Sequence, residues 1–444
     1  MSFHTLKIAV STALLLSSTV TLALPFSFMD PRSMAMGGAG VAVADAATAP
    51  LFNPALLSVT RYSDDFSLVL PTVGVYAADS KDLAGSVDKF QSGNYVSNLQ
   101  TSIANLNTAI AAVTNPATAS QISAVSSNAA TVTTGINSLS AQLDKLNNKP
   151  VSLDAGLSTV VGIPNKNFGI AFFANGAIAT GGAFQYKDAA LLASLSAQSS
   201  CLATAADLAA ITACGAPTFT SNSLQSTITL RGVRFGEVGI AISREFLINR
   251  NRIALGITPK IVQAQLYDIP IGLNSTNLSN LATSDYKAQY SMANIDFGIA
   301  KNHRNNWRSG LVIKNVIPYS LDFKRAPVAG QSPVATGESL RLIPQTRAGV
   351  SYSNRWSTVA LDIDLYRNRP VGLENHTQYV ALGGELNAGN WGQLRAGYRA
   401  DLVNSARNII SLGLGFSPFG VHADVAVAGN ERELGASFQL GFRF

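Results

Sequence analysis

Few residues in this sequence could perform acid–base chemistry. Beyond the N-terminal segment the only histidines are His303, His376 and His422. His422 stands two residues before Asp424, so both side chains would share one face of an extended strand. A catalytic pair also needs a nucleophile within hydrogen-bond reach, which this pattern does not indicate. We therefore interpret the pair as polar side chains of a strand and expect no catalytic residue and no enzyme.

The cysteines and paired carboxylates predict structure rather than chemistry. Cys201 and Cys214 are the only cysteines, and an oxidising compartment would join them in a local disulfide. Without a Cys-x-x-Cys motif, a thioredoxin-type site and a structural zinc site both lack ligands. Asp362 and Asp364 could bind a cation, but pairing with nearby basic residues is the simpler interpretation. We expect no metal and no cofactor.

The N-terminal segment predicts export. Lys7 precedes an uncharged apolar stretch at 8–22, and Thr21 and Ala23 are small residues at the positions that a signal peptidase reads. The stretch is short for a membrane-spanning helix. We interpret 1–23 as a cleaved signal for the general secretory route, with a retained anchor helix as the alternative.

Composition favours a transmembrane β-barrel. Charged residues make up 13% of the chain, against about 25% in soluble domains. Hydrophobic residues reach 47%, yet no later run approaches the ~18 apolar residues of a spanning helix. Apolar residues that alternate with polar ones are typical of barrels. The net charge of +6 is dispersed, so we expect no nucleic-acid partner.

Period-two alternation defines the strands. At the C-terminus, Phe438, Leu440 and Phe442 share one face, while Gln439 and Arg443 share the other. Phe444 after such a strand resembles the signature that the barrel assembly machinery reads. The same pattern predicts an all-β transmembrane barrel of about fourteen antiparallel strands, of which the fourth could also be two. They lie near 66–77, 151–162, 167–180, 226–245, 253–267, 286–301, 307–318, 340–351, 356–367, 378–388, 391–402, 408–417, 420–428 and 434–444.

Loop lengths and inward-facing residues support this prediction. Every second link is short and rich in turn formers, as periplasmic turns are, while the long links would be extracellular. The face opposite the apolar one carries glycine, serine and isolated charges, which suits a crowded lumen. We expect a ladder of polar lumen residues: Lys260, Asp296, Arg347, Asp362, Asp364, Glu385, Arg395, Arg399, Asp401, His422 and Asp424.

Two insertions carry helical patterns, at about 80–150 and 181–225. In the first, Leu99, Ile103 and Leu106 and then Val125, Ala129, Val132, Ile136, Leu139 and Leu143 follow three–four spacing on either side of Asn115-Pro116. This predicts an extracellular helical hairpin that is a lid, a contact surface or a loop of low complexity. The second insertion predicts a small helical loop closed by the two cysteines.

The residues between the signal and the first strand predict a plug. The segment 24–63 is rich in small residues and has no P-loop lysine, so it suits a lumen better than a phosphate site. The remainder, 64–444, is the barrel with its insertions. The plug motif comprises Gly37, Gly38, Gly40, Asp45, Asn53, Pro54 and Ala55.

A family resemblance rests on this motif. Residues 36–57 read MGGAGVAVADAATAPLFNPALL and resemble the plug of FadL-like hydrophobic-compound transporters. More closely, this run and GLVIKNVIP at 310–318 resemble the TraF-like (conjugal transfer) outer-membrane family. The resemblance implies fourteen strands and a passive channel for small hydrophobic molecules, with Asn53 and Pro54 holding the plug turn. It also implies outer-membrane lipid, lipopolysaccharide and the assembly machinery as partners.

The alternative function is a structural or cell-contact protein linked to conjugal transfer, with the helical hairpin as its contact surface. An open path past a displaceable plug would favour the channel. A sealed lumen with an exposed hairpin would favour the contact protein.

Overall fold

The protein is described by a computed structural model that covers residues 29–59, 66–249, 251–272, 286–326, 333–371, 376–389 and 391–443. The expected signal at 1–23 and the expected assembly signal at Phe444 lie outside these residues, as do both ends of the expected plug segment.

Fourteen antiparallel strands form a closed barrel, in which the first strand pairs with the last. The predicted barrel and its strand count are confirmed, and the fourth strand is continuous. The barrel strands are β1 (Ser67–Ala78), β2 (Pro150–Ile163), β3 (Gly169–Gln185), β4 (Thr227–Ile248), β5 (Asn251–Gly272), β6 (Lys287–Asn302), β7 (Trp307–Lys314), β10 (Gln345–Ser353), β11 (Ser357–Asp364), β12 (Tyr379–Ala388), β13 (Gly392–Asp401), β14 (Ile409–Phe416), β15 (Val421–Gly429) and β16 (Glu433–Arg443).

The outer surface of the barrel is apolar. On β14 the exposed residues Ile410, Leu412 and Leu414 alternate with the buried Ser411. Such an arrangement places apolar side chains against lipid and polar ones in the lumen. The three tryptophans, Trp307, Trp356 and Trp391, are exposed at the end that carries the short turns. Tryptophans concentrate where a membrane meets water, so this end lies at one membrane interface.

The chain between β7 and β10 differs from the prediction. Strands were expected at 307–318 and 340–351, but the chain leaves the wall after Lys314, and Asn315 has a φ of 55°. It forms a separate hairpin, β8 (Tyr319–Arg325) and β9 (Val334–Leu342). Apolar residues of the hairpin, such as Phe323, pack on the lumen faces of β4 to β6. The hairpin therefore fills the lumen beside these long strands, at the end opposite the short turns.

The two insertions form one helical layer with a shared core. The first contains α3 (Leu83–Ser92), α4 (Tyr95–Ala111) and α5 (Ala119–Leu146), and the second contains α6 (Ala189–Thr204) and α7 (Leu208–Cys214), numbered after two short plug helices. Thr118 and Gln121 form a capping box that starts α5. The three–four seam of α4 and α5 is buried, and α6 packs on α5. Within the described residues, no helix is long and apolar enough to cross a membrane.

Candidate functional site

The segment from Met29 to Val59 lies inside the barrel. Its helix α1 (Pro31–Ala35) contacts β13 to β16, and the 3-10 turn Pro54–Ser58 contacts β3 to β6 on the other side. Between them lies α2 (Ala49–Phe52). Almost every residue of the segment is buried. The segment therefore fills the lumen from wall to wall, and we call it the plug.

Asn53 holds the plug turn. Its Nδ2 donates to the carbonyl of Val41 at 2.9 Å and to the carbonyl of Ile299 on β6 at 3.1 Å. Its Oδ1 accepts from the amide of Ala55 at 3.1 Å, which begins the 3-10 turn at Pro54. Asn53 is fully buried. One side chain thus joins two parts of the plug to the barrel wall.

Glycines allow the plug and the wall to approach closely. Gly37 and Gly38 have φ values of 70° and 98°, which favour glycine over residues with a side chain. A Cβ on Gly397 of β13 would lie 2.2 Å from the amide nitrogen of Gly37. A Cβ on Gly40 would lie 2.3 Å from the ring of Phe52. Gly37 and Gly40 thus have no space for a methyl group, because the backbone of Tyr398 and the ring of Phe52 lie too close.

Polar lumen residues bind the plug backbone. Asp362 accepts from the amides of Gly40 at 2.7 Å and Val41 at 2.9 Å. Arg347 donates to the carbonyl of Gly38 at 3.2 Å and pairs with Asp364 at 2.6 Å. Asp362 and Asp364 therefore have different partners and do not share a cation.

Ion pairs also tie the plug to the neighbouring wall strand β12 and to β16. Arg32 pairs with Glu385 at 2.8 Å, and Arg395 joins Glu385 to Asp424. Asp45 pairs with Arg443 at 2.5 Å. Burial raises the pKa of Asp45, but Arg443 and Arg32 outweigh it and hold that pKa well below its usual range.

Asp30 lies beside these pairs with a different charge environment. Its carboxylate caps α1 by accepting from the amide of Ser33 at 2.7 Å. Burial, with contributions from Asp45 and Asp424, raises the pKa of Asp30 to about 7.

Other members of the predicted ladder have partners that the sequence did not indicate. Arg399 lies 4.3 Å from the ring centre of Tyr379 and 3.8 Å from Glu433. Asp401 accepts from the amides of Gln378 and Val403.

A polar vestibule of about 410 Å³ lies below the plug, at the short-turn end. Its lining includes Arg355, Gln393 and His422. Asp424 pairs with Arg395 rather than forming a catalytic dyad with His422. Across the described ranges, no group of three or more His, Cys, Asp or Glu residues is arranged to hold a metal ion.

A second cavity, of about 330 Å³, lies in the wall at β2 to β5. Its lining includes Leu157, Val238 and Ile261, which point outward and are exposed, but also the lumen residues Asn175 and Glu237. Gly176 of β3 pairs with Gly236 of β4 at this place, so neither strand puts a side chain there. We call this feature the wall cavity.

The strand pattern is disturbed around the wall cavity. Residues 174–177 of β3 are all half-buried, so the alternation of the two faces is lost. On β1, the pairing register shifts between Val69 and Thr72, and Pro71 in this interval lines the cavity. Proline cannot donate to a strand ladder and occurs at bulges. The strand pattern of the sequence did not indicate this site, although Pro71 within a predicted strand was a local signal for it.

A group of charges lies at the lumen side of the wall cavity. Lys260 pairs with Glu237 and Asp296, each at 3.1 Å. Asn175 donates to the other oxygen of Glu237 at 3.4 Å. Lys314 donates to the carbonyl of Leu51 in the plug at 3.0 Å. Both lysines are thus engaged by the wall or the plug.

Cys201 and Cys214 are joined by a disulfide in the second insertion. It links α6 to the end of α7, far along the chain from the plug and the wall cavity.

These features define a transmembrane β-barrel of the outer-membrane type, with a plug in its lumen. Residues 50–364 match the family described as F plasmid transfer operon, TraF, protein. This match covers most of the chain, and the protein belongs to that family. The matched range includes Asn53, Pro54 and Ala55 of the plug motif.

Several solved structures are similar to this chain at low sequence identity. The CymD monoaromatic hydrocarbon channel is 12% identical, with a TM-score of 0.51 over 95% of this chain and 99% of that chain. The Ralstonia pickettii toluene transporter TbuX is 12% identical, with a TM-score of 0.47 over 93% and 98%. A Pseudomonas aeruginosa FadL homologue is 10% identical, with a TM-score of 0.46 over 94% and 98%. A comparison with curated proteins gives no match.

Proposed function

We propose that this protein is a passive outer-membrane channel for small hydrophobic molecules, which cross the barrel wall through the wall cavity. The observation that carries the proposal is the cavity itself, whose lining contains residues from both faces of the wall. The likeness to CymD, a monoaromatic hydrocarbon channel, supports the same class of cargo.

The dimensions and chemistry of the cavity suit such molecules. A volume of about 330 Å³ lies at the lower end of the range for small-molecule sites. Leu157, Val238 and Ile261 offer apolar surface at the lipid side, where an apolar molecule gains free energy by leaving water. The plug is buried from wall to wall, so a route through the side of the barrel avoids displacing it.

The test narrows the cavity without crowding the fold. A Cβ on Gly236 would meet no atom within 4 Å, so Gly236→Phe adds a ring where space exists. Gly384 of β12 is a matched control on the far side of the barrel from the wall cavity. A Cβ on Gly384 would lie 3.9 Å from the nearest atom, so this position also has space for a ring. Neither glycine has a positive φ that would strain a phenylalanine.

Uptake of labelled compounds from alkanes to fatty acids is measured in cells that lack their own transporters. We expect saturable uptake with the unchanged protein and with Gly384→Phe, and a fall to background with Gly236→Phe. Background uptake by the correctly assembled, unchanged protein would refute the channel. Equal uptake by Gly236→Phe would refute the route through the wall, and a fall with Asn53→Ala and Pro54→Ala together would then place it past the plug.

The alternative, a contact protein, is favoured by one observation. The helical layer has a hydrophobic core, which also includes Phe184 of β3, at the end opposite the short turns. If the assembled protein took up none of the compounds but still bound a partner cell through the helical hairpin, the contact function would be established instead.

A further inference from the structure

The wall cavity combines mainly apolar sides with one charged group that a ligand can reach. Glu237 lines it, and 16% of the side chain surface of Glu237 remains exposed. Asn175 also lines it, with its amide nitrogen directed to Glu237. The remaining contacts come mainly from apolar side chains and the two glycines. A molecule in the cavity therefore meets hydrocarbon along its length and a carboxylate at its lumen end.

The positive charges next to Glu237 are covered. The side chain of Lys260 is only 1% exposed and divides its hydrogen bonds between Glu237 and Asp296. Lys314 is half-buried, donates to the plug carbonyl of Leu51 and does not line the wall cavity. A ligand that enters from the wall therefore meets the acceptor oxygens of Glu237 and not an ammonium group.

Glu237 retains capacity for a further donor. Its Oε1 accepts from Lys260 at 3.1 Å, and its Oε2 accepts from Asn175 at 3.4 Å. An ionised carboxylate has about four lone-pair sites, so two contacts leave room for a hydroxyl. Hydrogen bonds to charged groups are stronger than those between neutral groups. A ligand carboxylate, in contrast, would place a second negative charge beside Glu237.

We propose that Glu237 makes this channel selective for neutral hydrophobic molecules that carry one hydrogen-bond donor, such as phenols and alcohols, and that it excludes carboxylates. This inference rests on the proposed function and names its substrate class. The apolar sides of the cavity bind the hydrocarbon part of the ligand, and Glu237 accepts the hydroxyl proton in a hydrogen bond.

The experiment uses four probes of similar size: p-cresol, its methyl ether 4-methylanisole, toluene and benzoate. Uptake is measured with the full-length protein in cells that lack other transporters. We expect p-cresol to reach half-saturation at a concentration about tenfold below that of its ether or of toluene, the size of effect that one hydrogen bond to a charged acceptor gives. Benzoate uptake should stay at background.

Glu237→Gln removes the charge and keeps the shape. We expect this variant to lose most of the preference for p-cresol over its ether. Benzoate uptake should rise above background, because Lys260 then faces one carboxylate instead of two. If the role of Glu237 were purely structural, Glu237→Gln would lower the uptake of all probes together and would not raise benzoate uptake above background. Assembly is checked by the resistance of the barrel to unfolding in detergent.

Several results would overturn the inference. Equal half-saturation for p-cresol and its ether in the unchanged protein would do so, and this comparison does not depend on any variant folding. Benzoate uptake equal to that of p-cresol, or an unchanged preference in Glu237→Gln, would also do so. If the preference is absent while toluene uptake is saturable and blocked by Gly236→Phe, the channel stands and only its selectivity is refuted. If toluene uptake is at background, the channel itself fails.

Discussion

Replacing Asn53 with alanine tests the structure of the plug most directly. The substitution leaves the Val41 carbonyl and the Ala55 amide without the partners that Asn53 gives them at 2.9 Å and 3.1 Å. Each buried group left unpaired costs about 1–3 kcal/mol. Two such groups destabilise the docked plug by about 2–6 kcal/mol, which is an increase of about 30-fold to about 20,000-fold in the population of the undocked plug.

Hydrogen–deuterium exchange measures this population in the folded barrel. In Asn53→Ala we expect amides of residues 33–58 to exchange faster by the same factor, while amides of β12 to β14 keep their protection. Asn128→Ala is the matched control, because Asn128 is partly exposed on α5 and donates only to the carbonyl of Ala124 at 2.8 Å. Unchanged exchange of the plug in Asn53→Ala would show that Asn53 does not hold it.

Two further predictions concern the plug and the helical layer. The pKa of Asp30, which faces Asp45, Asp424 and Arg32, is about 7 in the folded protein and about 4 in an unfolded chain. Between these values the folded state binds the extra proton, so the stability of the plug should fall as pH rises from about 4 to about 7. Hydrogen–deuterium exchange of residues 31–36 should show this change, and Asp30→Asn should remove it. Changing Cys201 and Cys214 together to serine opens a loop with a sequence separation of 13, which should destabilise α6 and α7 by about 3 kcal/mol and speed their exchange without altering the heat stability of the barrel; a change confined to the barrel would contradict this.

The strands were predictable because their signal is local. Each wall strand has one side in lipid and one in the lumen, so alternation along a few residues fixes its type, as it does for Ile410 to Phe416. The seams of α4 and α5 were predictable for the same reason, since residues three and four apart share one helical face. Local signals of this kind do not indicate which side chains from distant strands meet inside the lumen.

The features that the sequence did not reveal depend on distant neighbours. The hairpin β8 and β9 alternates like a wall strand, with Leu321 and Phe323 on one face, and only its packing inside the lumen distinguishes it. The wall cavity requires Gly176 and Gly236 to meet across two strands. Arg399 of β13 lies 3.8 Å from Glu433 of β16, a partner that the sequence could not indicate because the stagger of the strands sets the height of each side chain in the lumen.

The tight fit between plug and wall also limits how the molecule can be assembled. The plug directly precedes β1, the strand that closes the barrel against β16, and it contacts strands from both halves of the wall. Gly256 and Gly397 approach the plug so closely that a methyl group on either would overlap its backbone. A folded plug cannot be threaded through a finished ring with such clearances. We infer that the plug takes its final form inside the barrel, against the wall strands that surround it.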